Sequence, residues 1–144
     1  MTTLDSLIVR HWQSLADGIT KDGIRQLPSY GEAPLRLTME RVERWLKVLA
    51  ESIDRNEPQL LAGYLEAIAK ERQAEGYPIG DLHAIIHITE RHIRDLIDQA
   101  CSDPVERNGQ QALLIAIMDS ARMALSIAYM LNRAPVTDQE AEEG

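Results

Sequence analysis

The 144-residue chain has no phenylalanine, one cysteine, and only two tryptophans and four tyrosines. A single thiol, Cys101, excludes an intramolecular disulfide and any zinc cluster built on cysteines, and it suits a reducing compartment. Basic residues are in deficit: the formal net charge is −8. That balance disfavours a phosphate backbone as partner, because binding one needs clustered Lys and Arg. Four acids (Asp138, Glu140, Glu142, Glu143) crowd the last seven positions, so the folded part is only mildly acidic. No basic leader followed by an apolar run opens MTTLDSLIVRHW, so no secretory signal is expected. The longest apolar stretch, ALLIAIMDSARMALSIAYML, carries Asp119 and Arg122 at its centre, where either charge is costly in lipid. These absences predict a cytoplasmic protein that binds neither nucleic acid nor membrane.

Alternation with period two is missing as well, and apolar residues recur instead at three and four. The pattern predicts an all-α fold, a single bundle of about five main helices with no sheet, over residues 1–133, followed by an acidic disordered tail at 134–144. Leu4, Leu7, Ile8, Trp12, Leu15 and Ile19 define the first helix, started by Thr2 or Thr3. Gly18, Gly23, Pro28, Gly31 and Pro34 then predict a loop or short turns over residues 20 to 36. Thr38 is placed to cap a second helix with Val42, Trp45, Leu46, Leu49 and Ile53 inside. Asn56 reads as the N-cap of a third, with Pro58 just within it, burying Leu61, Tyr64, Leu65 and Ile68. Gly76, Tyr77 and Pro78 end that helix, and Asp81 caps a fourth that buries Leu82, Ile85, Ile86, Ile93, Leu96 and Ile97.

Ser102 or Asp103, with Pro104, starts the fifth helix. Its polar residues (Gln111, Asp119, Arg122, Ser126, Arg133) form one narrow stripe, and most of the remaining surface is Leu, Ile, Met and Ala. Such a helix either runs through the middle of the bundle or covers the core on one side and a second subunit on the other. A homodimer is expected, with Leu113, Ile117, Ala121, Ala124, Leu125 and Ala128 at the interface. Asp119 and Arg122 are expected to pair within the helix.

The stretch GYPIGDLHAIIHITERH, residues 76 to 92, sets His83, His87 and Glu90 at i, i+4, i+7 on one helix flank. Two imidazoles and a carboxylate can hold zinc or iron when they line a pocket, but Ala84 stands where an HExxH metalloprotease needs Glu. The expectation is an exposed helix edge with Glu90 and Arg94 in contact, hence no metal, no cofactor and no catalytic residue. A metal- or haem-binding sensor using His83, His87 and Glu90 is the alternative. No GxSxG elbow, phosphate loop or paired Cys and His argues for an enzyme.

Residues 39 to 97, MERVERWLKVLAESIDRNEPQLLAGYLEAIAKERQAEGYPIGDLHAIIHITERHIRDLI, resemble the N-terminal domain of RsbR- and RsbRD-type co-antagonists, bacterial regulators of stress signalling. The turn AKERQAEGY, a proline, Ile79, an acidic residue and Leu82 carry the likeness, with Trp12 and its following loop. The resemblance implies a globin-like domain without haem, dimeric, sensory or scaffolding, with a STAS or kinase-type protein as partner. The STAS domain that follows in such proteins has no counterpart in these 144 residues.

Overall fold

The computed structural model describes the backbone of residues 3–143 and the side chains of residues 3–132, and every regular element among them is a helix. Seven helices occur: α1 (Leu4–Arg10), α2 (Trp12–Gln26), α3 (Pro28–Glu32), α4 (Leu35–Arg55), α5 (Pro58–Ala74), α6 (Ile79–Ala100) and α7 (Pro104–Glu143). The predicted tail at 134–144, and Arg133 of the polar stripe, lie outside the residues whose side chains are described.

Helix contacts run from α2 to α4, α4 to α5, α5 to α7, α7 to α6, and α6 back to α2. They close a ring around one core, with Leu46, Leu49, Ile93, Leu114, Met118 and Leu125 fully buried. α1 packs on α4 and α6.

Local chemistry explains most of the ends. Thr3 caps α1, its Oγ1 accepting from Ser6 N at 3.4 Å. Asp103 accepts from Glu106 N at 3.2 Å at the head of α7. Gly76 ends α5 with φ +89°, while Tyr77 N donates back to Arg72 O and Gly76 N to Gln73 O. That left-handed stop is open to glycine at little steric cost.

Five expectations are corrected. The first helix is two, since His11 (φ −109°, ψ 23°) bends the chain between α1 and α2 while both keep the apolar face. Residues 20 to 36 are mostly helical: α2 continues to Gln26, and Gly18 and Gly23 sit inside it because other side chains crowd them. A Cβ on Gly18 would fall 2.8 Å from His92 Cε1, and one on Gly23 3.0 Å from Ile85 Cδ1. Thr38 caps nothing; α4 enters through Pro34 at φ −58°, and Thr38 is buried in its second turn. Asn56 closes α4 instead of opening α5: it is left-handed (φ 52°), and Glu57 N returns to Ser52 O. α6 likewise begins at Ile79, which places Asp81 in its first turn.

Candidate functional site: a polar seam, a cavity and an uncovered helix face

The polar stripe of α7 faces α6. His83 Nε2 lies 3.0 Å from Ser126 Oγ, Glu90 Oε2 accepts from Arg122 Nη2 at 3.0 Å, and Gln111 Nε2 donates to Asp98 Oδ1 at 2.9 Å. The pairs run in opposite senses along the two helices, so the seam is antiparallel. Arg122 also donates to Asp119 at 2.9 Å, the intrahelical pair expected from the sequence.

The sequence-predicted trio is therefore dispersed. His83 is half-buried against Ser126, Glu90 is buried and ion-paired, and His87 is exposed. Arg94 contributes only a longer contact to Glu90, at 3.8 Å. Burial, then the nearby Arg122, holds the His83 pKa below the ordinary imidazole range. Among the described residues no three His, Cys, Asp or Glu side chains gather as a metal site.

Inside the ring a cavity of about 50 Å³ is lined by Val42, Trp45, Leu65, Leu82, Ile86 and Leu125, with Tyr30, Tyr64, Arg41 and Arg72 around them. Trp45 stacks on Tyr64 (centroids 6.3 Å apart, planes at 18°) and donates its indole N–H to Thr89 Oγ1 at 3.0 Å. Tyr30 meets Tyr77 edge-on at 5.3 Å. Arg41 donates to both Glu75 oxygens, and Arg72 Nη1 reaches Glu75 Oε1 at 2.8 Å. Burial pushes the Glu75 carboxyl up, but the two guanidiniums outweigh it and hold its pKa low. Burial raises the Tyr30 pKa far above that of a free phenol, so its hydroxyl remains a donor. No histidine lines this cavity.

None of Tyr30, Arg41 or Arg72 was singled out in the sequence. Arg72 was discoverable, since it continues the apolar spacing of Leu65, Ile68 and Ala69 on α5. Tyr30 was hidden in the segment expected to be a loop.

The third feature is the face of α7 that nothing covers. Leu114, Met118, Ala121, Leu125, Ala128 and Tyr129 pack into the core. Three of the expected interface residues, Ala121, Leu125 and Ala128, are thus consumed inside the chain itself, because the polar seam with α6 fixes the rotation of the helix. Ile117 and Ala124 lie at the edge of the core, and Leu113 is exposed. On the side opposite the core, Val105, Ala112, Ala116, Ser120, Met123, Ile127, Met130 and Leu131 are all exposed. Not one of them is charged. Alongside runs an open crevice of about 430 Å³ between α5 and α7, bordered by Pro58, Leu61, Ala62, Ala116, Ile117 and Ser120. By length and composition alone, Pro104–Asn132 is apolar enough to cross a membrane.

No family model matches the chain, and neither the curated proteins nor the solved structures yield a match.

Proposed function

We propose that the chain is a non-enzymatic sensory or regulatory module that works as a homodimer through the uncovered face of α7. The observation that carries this reading is that face itself: about 30 Å of helix at 1.5 Å per residue from Ala112 to Leu131, apolar but for Ser120, on a protein of modest size. Patches of that extent on soluble proteins mark interaction surfaces.

A second copy is the occupant that the side chains favour. Small residues (Ala112, Ala116, Ser120) lie toward the N-terminal half and large ones (Met123, Ile127, Leu131) toward the C-terminal half. Laid antiparallel on a two-fold axis, Ala112 faces Leu131, Ala116 faces Ile127 and Ser120 faces Met123. Every small side chain then meets a large one, and the crevice beside Ala116 and Ser120 receives the excess bulk. The one charged side chain bordering this face, Asp119, is paired with Arg122 of its own helix, which limits its repulsion of the copy.

Signal would enter at the cavity beside Trp45 and Tyr64 and leave as altered packing of α7 in the dimer. The likeness to RsbR-type N-terminal domains, globin-like without haem, supports this division of labour and points to a STAS or kinase-type partner in a bacterial cytoplasm. Sedimentation velocity of the wild-type chain and of Ile127→Glu tests the reading. A wild-type dimer that the variant turns into a folded monomer is expected; a wild-type monomer throughout the micromolar range overturns it.

The hydropathy of Pro104–Asn132 favours a second reading, in which the same face lies on a membrane. Asp119 and Arg122 weigh against a span, because Arg122 is held by Glu90 of α6. Flotation with neutral phospholipid vesicles separates the two: co-migration supports the membrane, and exclusion supports the dimer.

A further inference from the structure

We propose that His83 is a proton-operated switch on the dimer: its protonation sets an imidazolium against Arg122 across the seam between α6 and α7, disturbs the setting of α7 that two copies need, and loosens the dimer as pH falls. The inference names a regulation of the α7 face and rests on the dimer reading above.

The switch and the interface occupy the same two turns of one helix. Arg122 and Ser126 face α6, where Arg122 Nη2 donates to Glu90 Oε2 and Ser126 Oγ lies 3.0 Å from His83 Nε2. The residue after each of them, Met123 and Ile127, is exposed on the uncovered face. Successive helical residues stand about 100° apart around the axis, so α7 cannot turn at the seam without carrying Met123 and Ile127 with it. Seam and interface therefore share one rotation.

A proton on His83 would meet opposition and no counter-charge. The ring is half-buried, and among the described residues Arg122 is the one charged group that bears on it. Ser126 can accept as well as donate, so its hydrogen bond survives protonation; burial and the guanidinium are what resist the charge. The acids nearby are engaged elsewhere. Arg122 holds Glu90 and Asp119, and Asp81 bears on Tyr30 and Tyr129. On α2, Asp22 pairs with His92, Arg25 and Arg91, and Asp17 with Lys21. Asp5 and Arg10 of α1 do not bear on the His83 ring, and His87, one turn along α6, is exposed.

The added charge is relieved when the imidazole leaves Ser126 or the guanidinium leaves Glu90. Either movement removes a contact that sets the rotation of α7, and the remaining one, Gln111 to Asp98, lies about three turns from Arg122. The dimer then favours the deprotonated ring, and by linkage its dissociation takes up protons.

The test is sedimentation velocity of the full chain from about pH 7.5 to about pH 5, with far-UV circular dichroism on the same samples. The wild-type dimer should weaken at least about threefold over that range while its helix content holds. His83→Gln stays neutral and can still bond to Ser126, so its dimer should keep its affinity throughout. His87→Gln should follow the wild type. A wild-type dimer of constant affinity, a decline that persists in His83→Gln, or loss of helix together with the dimer overturns the switch and leaves the dimer standing. A wild-type monomer at every pH overturns the dimer and the switch with it.

Discussion

Arg122 of α7 reaches the buried carboxylate of Glu90 on α6 at 3.0 Å, and that ion pair fixes which way α7 faces. With Ser126 on His83 and Gln111 on Asp98, it commits the polar stripe to the side of α7 that faces α6. The apolar side must then turn outward.

Removing one partner should cost more than removing both. Arg122→Met strands the Glu90 carboxylate, whose remaining contact with Arg94 is 3.8 Å, and should lower stability by about 2 kcal/mol. The double variant Arg122→Met with Glu90→Gln should recover most of that loss. Urea unfolding of the two single variants and the double closes the cycle, and additive losses would mean the pair contributes nothing jointly.

Glycines in helices should respond according to what lies beside them. Gly63 has open space around its missing Cβ, so Gly63→Ala should stabilise by about 0.5–1 kcal/mol through helix propensity. Gly18→Ala should lose about 1 kcal/mol or more despite the same gain, because the new methyl meets the His92 ring, which is tied to Asp22 at 2.6 Å and cannot swing away freely. Thermal melts of both decide it.

Stability should fall on acidification in two separate windows. The folded state resists protonating His83, so the unfolded chain takes up the proton first as pH drops through 6.5, and stability declines from there down to the lowered folded value. Asp22 behaves oppositely in origin: its hydrogen bond to His92, with Arg25 and Arg91 nearby, depresses its pKa below 3.8. Its contribution is present above 3.8 and is lost as pH falls through the folded value. His83→Gln should flatten the first window and Asp22→Asn the second, read as urea midpoints from about pH 8 to about pH 3.

The indole of Trp45 needs Thr89. Thr89→Val keeps the side-chain shape but leaves a buried N–H without its acceptor at 3.0 Å, and should cost about 1–3 kcal/mol. A blue shift in Trp45 fluorescence without loss of stability would argue that the indole finds another partner.

What the sequence made legible was local. Pro58, the Gly76-Tyr77-Pro78 stop and Asp103-Pro104 announce helix ends through their own backbone chemistry, and they end helices here. What it hid was set by distant neighbours. Gly18 and Gly23 look like breakers until His92 and Ile85 press on them; Thr38 looks like a cap until α4 begins three residues earlier. Spacing placed His83, His87 and Glu90 on one flank, but only the position of α7 shows that Ser126 and Arg122 claim two of them. The same seam shifted the exposed face away from Ala121, Leu125 and Ala128.

The direct measurement of the proposed dimer is a cysteine cross-link between two differently labelled copies, one Ser120→Cys and one Met123→Cys, both with Cys101→Ser. The antiparallel register predicts rapid disulfide formation in the mixture between position 120 of one copy and 123 of the other. Failure of the mixture to cross-link, or preferential linking of 120 to 120, would contradict the account.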